Sequence, residues 1–246
     1  MSIKLFLIFT LLVYCSARRA TKIGTSRIIN GDIITIDKAP YLVQLRNEEG
    51  KTFCSGTLIS MEHVVTAAHC FVDRDYRHIN VVAGASSLLE QGVSRSIENL
   101  HIHPEFDPLN PFGKNVAVLK LNKPLARSRN IRNTYLCSEA LQAGDLLQIA
   151  GWDELDEEDL NDNSNVLSTI RMPVLSTEIC KDKFGSSEGI LCASDGDQDV
   201  SEIDGGGPGI FAGELCGIVS VNLEENKPAV FTNVMNVIDF SEAHIY

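Results

Sequence analysis

The chain lacks a surplus of positive charge. It carries 21 lysines and arginines against 33 aspartates and glutamates, a formal charge of −12 at pH 7. Five basic residues precede Ile28, where there is no acid, so the remainder has 16 basic against 33 acidic residues, or −17. A body this acidic argues against nucleic acid, whose phosphate backbone favours a basic surface, and against an anionic membrane face. It favours protein partners, whose basic faces would be steered towards it.

Cysteine is sparse. Seven cysteines in 246 residues exclude a disulfide-dense miniprotein. With 44% hydrophobic and 22% charged residues, the composition is that of a globular protein of one or two domains. There is no Asn-x-Ser/Thr sequon, so N-glycosylation is not expected. No linker or internal repeat divides the chain.

Only one long apolar run is present, at the start of the chain. Residues 5–13 (LFLIFTLLV) follow Lys4 and precede the small residues at 15–17 (CSA). The run is too short to span a bilayer, which takes about 20 residues. This pattern predicts a signal peptide at residues 1–17, a secreted protein and no membrane span.

Secretion would place the remaining cysteines in an oxidising compartment. An even number suggests three disulfides, and the residues alone leave 15 connectivities open. His101 and His103 would share one face of a strand but lack a third ligand nearby, so they are interpreted as ordinary surface or half-buried histidines. Neither a metal nor a cofactor is expected. The six cysteines are Cys54, Cys70, Cys137, Cys180, Cys192 and Cys216.

Most of the chain has the pattern of short strands. Apolar, partly β-branched runs punctuated by Gly, Asn, Asp or Pro predict an all-β sandwich or barrel. Residues 234–243 are expected to form a short C-terminal helix. The acidic segment 153–162 (DELDEEDLND) is interpreted as a solvated loop rather than a docking patch. The predicted strands are 41–45, 57–59, 79–82, 116–121, 146–149 and 217–221.

Four motifs carry a family resemblance. They are RIING at 27–31, CSGTLISMEHVVTAAHC at 54–70, GW at 151–152 and DGGGP at 204–208. In this order and spacing they resemble the trypsin/chymotrypsin-like serine proteases, from Arg27 to the end of the chain. The resemblance implies two antiparallel six-stranded β-barrels packed side by side and a short C-terminal helix. It also implies a propeptide at 18–27 and a protease-like domain at 28–246.

The resemblance implies where the catalytic groups would lie. His69 matches the base, but Asn115 stands where the family has an aspartate and Gly205 where it has the nucleophilic serine. Replacing such an aspartate by asparagine lowers turnover ~10⁴-fold in the general template of this chemistry. The oxyanion hole would be formed by the main chain at positions 203 and 205. Ile203 stands where the family has a glycine, and a β-branched residue resists the positive φ that such turns often require.

These departures lead to the expectation that the chain is not an enzyme but a pseudoprotease. It would act by binding, as a cofactor, decoy or regulator, on secreted proteins such as active proteases or protease inhibitors. Two alternatives stay open. One is an active serine-type endopeptidase with Arg/Lys preference that uses Ser201 or Ser187, although nothing in the sequence places either hydroxyl near His69. The other is a structural or storage protein of a secreted fluid.

The activation site and the pocket follow from the same resemblance. Cleavage after Arg27 would release the Ile28 amine to pair with Asp204, a buried ion pair. Asp199 would lie in the specificity pocket, where it suggests a basic ligand. Ser220, Asn222 and Ala229 would line the wall of this pocket. The side chains of Asn222 and Ala229 are expected to narrow it.

The resemblance also narrows the disulfide pairing. Cys54 with Cys70 and Cys180 with Cys192 match two family bridges. The two remaining cysteines, Cys137 and Cys216, lie near a third bridge but not on its usual positions.

Overall fold

A computed structural model describes residues 31–110, 112–152, 165–196, 204–220 and 228–246. In these ranges the chain forms fourteen strands, two α-helices and several short 3₁₀ turns. The strands are β1 (Asp32–Ile33), β2 (Leu42–Arg46), β3 (Thr52–Leu58), β4 (His63–Thr66), β5 (Asn80–Ala83), β6 (Val93–Ile102), β7 (Ala117–Leu121), β8 (Tyr135–Leu136), β9 (Leu146–Trp152), β10 (Leu167–Pro173), β11 (Ile190–Ala193), β12 (Pro208–Phe211), β13 (Glu214–Val219) and β14 (Ala229–Asn233).

The first half of the chain is a closed barrel of six strands in the order β2-β3-β4-β7-β6-β5. Closure comes from β2, which pairs with β3 on one side and with β5 on the other. The barrel interior is filled by aliphatic side chains such as Val43, Leu45, Val64 and Leu119, each with no exposed surface. A sheet closed in this way leaves no edge strand exposed.

The second half is a sheet in the order β1-β10-β9-β12-β13-β14-β11, with β8 pairing in parallel to β13. Its ends nearly meet, because an isolated bridge joins Val174, just after β10, to Ala193 of β11. The Leu175 N–H donates to the Cys192 carbonyl at 2.8 Å across the same junction. Six strands therefore curl into a second, less completely closed barrel. The expectation of an all-β fold in two barrel-like halves is confirmed.

Two helices accompany the sheets. Helix α1 (Thr177–Phe184) was not predicted from the sequence. It begins where the Ser176 hydroxyl accepts a hydrogen bond from the Ile179 N–H and ends at Gly185, which adopts the left-handed conformation (φ 75°). The predicted C-terminal helix exists as α2 (Ile238–Ile245), later than expected, because a 3₁₀ turn at Val234–Asn236 comes first. Among the described residues, no helix is long and apolar enough to cross a membrane.

All three disulfides implied by the family resemblance are present. Cys54–Cys70 links β3 to the turn after β4, Cys180–Cys192 ties α1 to β11, and Cys137–Cys216 anchors the chain after β8 to β13. The third pair was the least closely matched to the family, and it is also confirmed. The acidic segment 153–162 lies outside the described residues.

Candidate active site

His69 and Asn115 meet because the strands beside them are neighbours. His69 lies in the 3₁₀ turn Ala68–Phe71 that follows β4, and Asn115 lies two residues before β7. Strands β4 and β7 are antiparallel, with Thr66 opposite Ala117. The end of one strand therefore adjoins the beginning of the other, and the two side chains come together.

The amide of Asn115 is fully buried and its orientation is fixed by several bonds. Its Oδ1 accepts from the main-chain N–H of His69 at 2.9 Å. Its Nδ2 faces the His69 Nδ1 at 2.9 Å and donates to the Ser220 Oγ at 2.9 Å. Because a main-chain N–H can only donate, the oxygen of the amide must face it, and the NH₂ group must face the imidazole.

This arrangement determines the tautomer of His69. Its Nδ1 accepts a hydrogen bond from Asn115, so the imidazole carries its proton on Nε2. The Nε2 lies 3.7 Å from the Cys70 Sγ and 4.0 Å from the Cys54 Sγ. Burial lowers the pKa of His69 from its usual 6.5 to about 4, so the ring is neutral near pH 7. A neutral ring protonated on Nε2 cannot take up a proton at that atom.

Gly205 lies directly against the Cys54–Cys70 disulfide beside His69. Its carbonyl accepts from the Ser55 N–H of β3 at 2.9 Å and lies 3.7 Å from the Cys70 Sγ. The next residue, Gly206, has φ +82° and donates its N–H to the Val219 carbonyl at 2.8 Å. A Cβ on Gly206 would lie 2.2 Å from the Thr66 Oγ1. The second half of the chain thus packs its main chain onto the first barrel here, and position 205 presents no hydroxyl to His69.

The carboxylate of Asp204 lies beneath the same connection. It has no exposed surface, and its Oδ1 accepts from the Trp152 N–H at 3.1 Å. Gly151 allows this approach, since a Cβ there would lie 1.8 Å from that oxygen. The GW motif at 151–152 therefore provides both the space and a donor for Asp204.

Of the predicted pocket residues, Ser220 and Ala229 are described, and they are near each other. The Ser220 N–H donates to the carbonyl of Val230, the neighbour of Ala229 in β14. Ser187 lines a separate cavity of about 230 Å³ beside α1 that none of the site residues lines. The other predicted residues of the site, Arg27, Ile28, Asp199, Ser201, Ile203 and Asn222, lie outside the described residues, so their roles stay predictions.

Cys54, His69 and Cys70 also bring three potential ligand atoms within 4.8 Å of one another. The two sulfurs are joined as a disulfide, and a disulfide offers no thiolate to a metal. The cluster is therefore structural in its oxidised form.

Comparison with known proteins places the chain in a family. Residues 28–241 match the family model described as Trypsin. Seminase of Drosophila melanogaster is 33% identical over 225 residues, covering 87% of this chain and 80% of that protein. The vitellin-degrading protease of Bombyx mori is 29% identical over 259 residues, covering 100% and 96%, and the trypsin of Sus scrofa is 30% identical over 229 residues, covering 89% and 96%. The chain belongs to the trypsin family of serine proteases.

This finding contradicts the prediction that the chain is not an enzyme. The relatives that it matches over most of its length are named as proteases, and the similarity gives no sign of lost activity. The prediction rested on the chemistry of Asn115 and Gly205 alone. Catalytic constellations in proteases recur with different residues in the same roles, so two positions do not decide the class of the whole chain.

One contact of the site was missed from the sequence. Ser220 was expected only as a wall of the pocket, yet its hydroxyl accepts from Asn115 and so ties β13 to the first barrel. The position of Ser220 immediately after β13 gave no indication of this partner, because Asn115 lies in the other half of the chain.

Proposed function

We propose that this chain is a secreted trypsin-family protein that acts by binding other proteins of an extracellular protease pathway, as a cofactor, a decoy for inhibitors or a regulator. The binding partners are active proteases or protease inhibitors. The trypsin family, the three disulfides and the leader-like residues 1–17 fit an extracellular protein.

One observation carries this proposal: in the described part of the site, the main chain around Gly205 is held firmly in place. Ser55, Gly206 and Val219 hold it by hydrogen bonds of 2.8 to 2.9 Å. Because these bonds lie within the protein, they keep the shape of the described cleft whichever side chain stands at position 205. Recognition of that shape by a partner protein needs no reaction at His69.

A second candidate function is hydrolysis of peptide bonds after arginine or lysine, and the protease names of the relatives favour it. It requires a nucleophile other than position 205. Ser201 and Ser187 are the candidates that the sequence offers. In this case His69 must exchange its tautomer, since its Nε2 carries the proton in the arrangement with Asn115.

A single set of measurements separates the two candidates. The chain is prepared with residues 18–27 attached and with Ile28 as its first residue. Each form is tested for labelling by a fluorophosphonate probe, for hydrolysis of an arginine peptide, and for binding to an active trypsin and to protein inhibitors of trypsin. The binding role predicts a saturable complex with one of these proteins. If none binds and the natural chain hydrolyses the peptide, the binding proposal is wrong.

Variants identify the chemistry. Adding the hydroxyl and the carboxylate, as Gly205→Ser with Asn115→Asp, should increase the rate of fluorophosphonate labelling by on the order of 10³-fold or more over the natural chain. Ser187→Ala is the matched control, because its side chain lines a different cavity. Labelling of the natural chain that disappears in His69→Ala and in Ser201→Ala, but persists in Ser187→Ala, would establish the hydrolytic candidate.

A further inference from the structure

Two histidines from distant parts of the sequence lie in contact on the outside of the first barrel. His101 belongs to β6 and His244 to α2, and their ring centroids are 4.3 Å apart with the ring planes inclined by 37°. Both side chains are half-buried. Sequence analysis grouped His101 only with His103, and its contact with His244 arises from the packing of α2.

The position of α2 explains the contact. Helix α2 lies against β7, and His101 is paired with Val118 of β7. The ring of Phe240, one turn before His244, lies 4.6 Å from His244 and 4.8 Å from His103. Phe240 therefore forms an apolar side to the histidine pair and limits the approach of water from that direction.

The hydrogen bonding of His244 prepares one of its nitrogens for a ligand. Its Nδ1 lies 2.8 Å from the Phe240 carbonyl oxygen. A carbonyl only accepts, so Nδ1 carries the proton and the lone pair of the neutral ring is on Nε2. Histidines that bind metals usually donate their other ring N–H to a carbonyl or carboxylate in this way, which fixes the ring and the tautomer.

The spacing of the rings suits a shared ion. Two imidazoles bound to one metal at about 2.0–2.1 Å, at an angle between 90° and the tetrahedral value, have centroids roughly 4.5–5 Å apart. The observed 4.3 Å requires the rings to separate by only a few tenths of an ångström to about 1 Å. A half-buried side-chain pair on two different elements can adjust by that amount.

We propose that His101 and His244 form a binding site for one divalent transition-metal ion of the kind that imidazole prefers, Zn²⁺ or Cu²⁺, with water in the remaining positions. The ion links the C-terminal helix to the first barrel. The site is distinct from the cleft at His69, and it stands whether the chain binds or cleaves proteins.

The protein supplies two ligands to this site. His103 is nearby, but its Nδ1 accepts from the Glu105 N–H at 3.2 Å, which leaves the proton of the neutral ring on Nε2. Among the described residues, no set of three potential ligand side chains closes around His101 and His244. Binding is therefore weaker than at a structural zinc site with four protein ligands.

The ligands can be counted directly on the natural chain. With Cu²⁺ added at one equivalent near pH 7.5, electron paramagnetic resonance should show superhyperfine splitting from two imidazole nitrogens. Titration calorimetry with Zn²⁺ should give one site per chain. His101→Asn and His244→Asn should each weaken binding by about tenfold or more, and His78→Asn is the control, because that ring is exposed on another part of the first half.

Several results would overturn the proposal. They are the absence of a saturable Zn²⁺ or Cu²⁺ site, a spectrum with one nitrogen or none, or binding that is equal in the natural chain and in both variants. Since the nitrogen count needs no variant, the test remains decisive if either substitution prevents folding. A second check is an increase in the melting temperature with Zn²⁺ in the natural chain and in His78→Asn, which His244→Asn should lose.

Discussion

The two halves of the molecule hold their parts of the site by different means. In the first barrel, His69 and Asn115 are held mainly by side chains: an amide with all its groups engaged, and a disulfide against the imidazole. In the second half, Gly205 and Gly206 are held by main-chain hydrogen bonds, over a carboxylate that has no exposed surface.

This difference indicates which changes each half can absorb. Side chains can adjust to a substitution by rotating about their bonds. A substitution in the first barrel should therefore lose only the contacts of the atoms that are changed. A main-chain connection packed on a buried charge cannot rotate away, and moving it displaces the charge from its donors. We therefore expect comparable substitutions to be more destabilising in the second half.

Glycine-to-alanine substitutions test this comparison with the largest expected effect. In Gly151→Ala of β9, the new Cβ would lie 1.8 Å from the Asp204 Oδ1, so the carboxylate must leave the Trp152 N–H. We expect a loss of about 4 kcal/mol or more in the free energy of unfolding. In Gly56→Ala of β3, the new Cβ would meet a Val64 methyl at 2.7 Å, and that side chain can move. There we expect about 1–3 kcal/mol.

Urea denaturation of the two variants and the natural chain measures both values. Equal losses in Gly151→Ala and Gly56→Ala would mean that the carboxylate of Asp204 can be displaced as easily as a methyl group. The comparison between the halves would then be wrong.

The disulfides sharpen the comparison with a smaller expected difference between the two halves. Cys137–Cys216, in the second half, closes a loop with a sequence separation of 79, whereas Cys54–Cys70, in the first barrel, has a separation of 16. The entropy of loop closure predicts losses of about 4.5 and about 3 kcal/mol when each pair is replaced by alanines. Urea midpoints of the two double variants give the order. A reversed order would show that packing of the Cys54–Cys70 sulfurs on His69 outweighs the loop length.

The strand pattern and the family resemblance together predicted the fold and the three disulfides. The runs at 41–45, 79–82 and 116–121 lie within about a residue of β2, β5 and β7, because a buried strand leaves a short local run of apolar residues. The family resemblance carried by the motif at 54–70 predicted the position of His69 and the Cys54–Cys70 disulfide, because that motif is continuous in the chain. Helix α1 was missed because eight residues are too few to show a helical period, although Ser176 and Gly185 carry the capping signals.

The features that could not be predicted depend on contacts between distant segments. The orientation of the Asn115 amide is set by the main chain of His69 and by Ser220 of the other half. The pairing of His101 with His244 depends on where α2 packs on β7. Neither is encoded in a local spacing, because each requires two elements to be placed by the whole fold.

The smallest expected effect concerns His69 and pH. Burial lowers the pKa of His69 to about 4 from the usual 6.5, which it regains on unfolding. Between these values the unfolded chain binds a proton that the folded chain does not, so stability is complete above pH 6.5 and falls as the pH drops towards 4. The contribution is at most about 3 kcal/mol.

Burial also lowers the pKa of His63, His101 and His103. The measurement is therefore the difference in urea stability between pH 7 and pH 4.5 for the natural chain and for His69→Asn, with His78→Asn as the control. The His69 variant should lose less of its free energy of unfolding between the two pH values than the natural chain does. An equal loss in all three proteins would mean that His69 titrates as an exposed imidazole. The hydrogen bonds of Asn115 would then not hold His69 in the barrel.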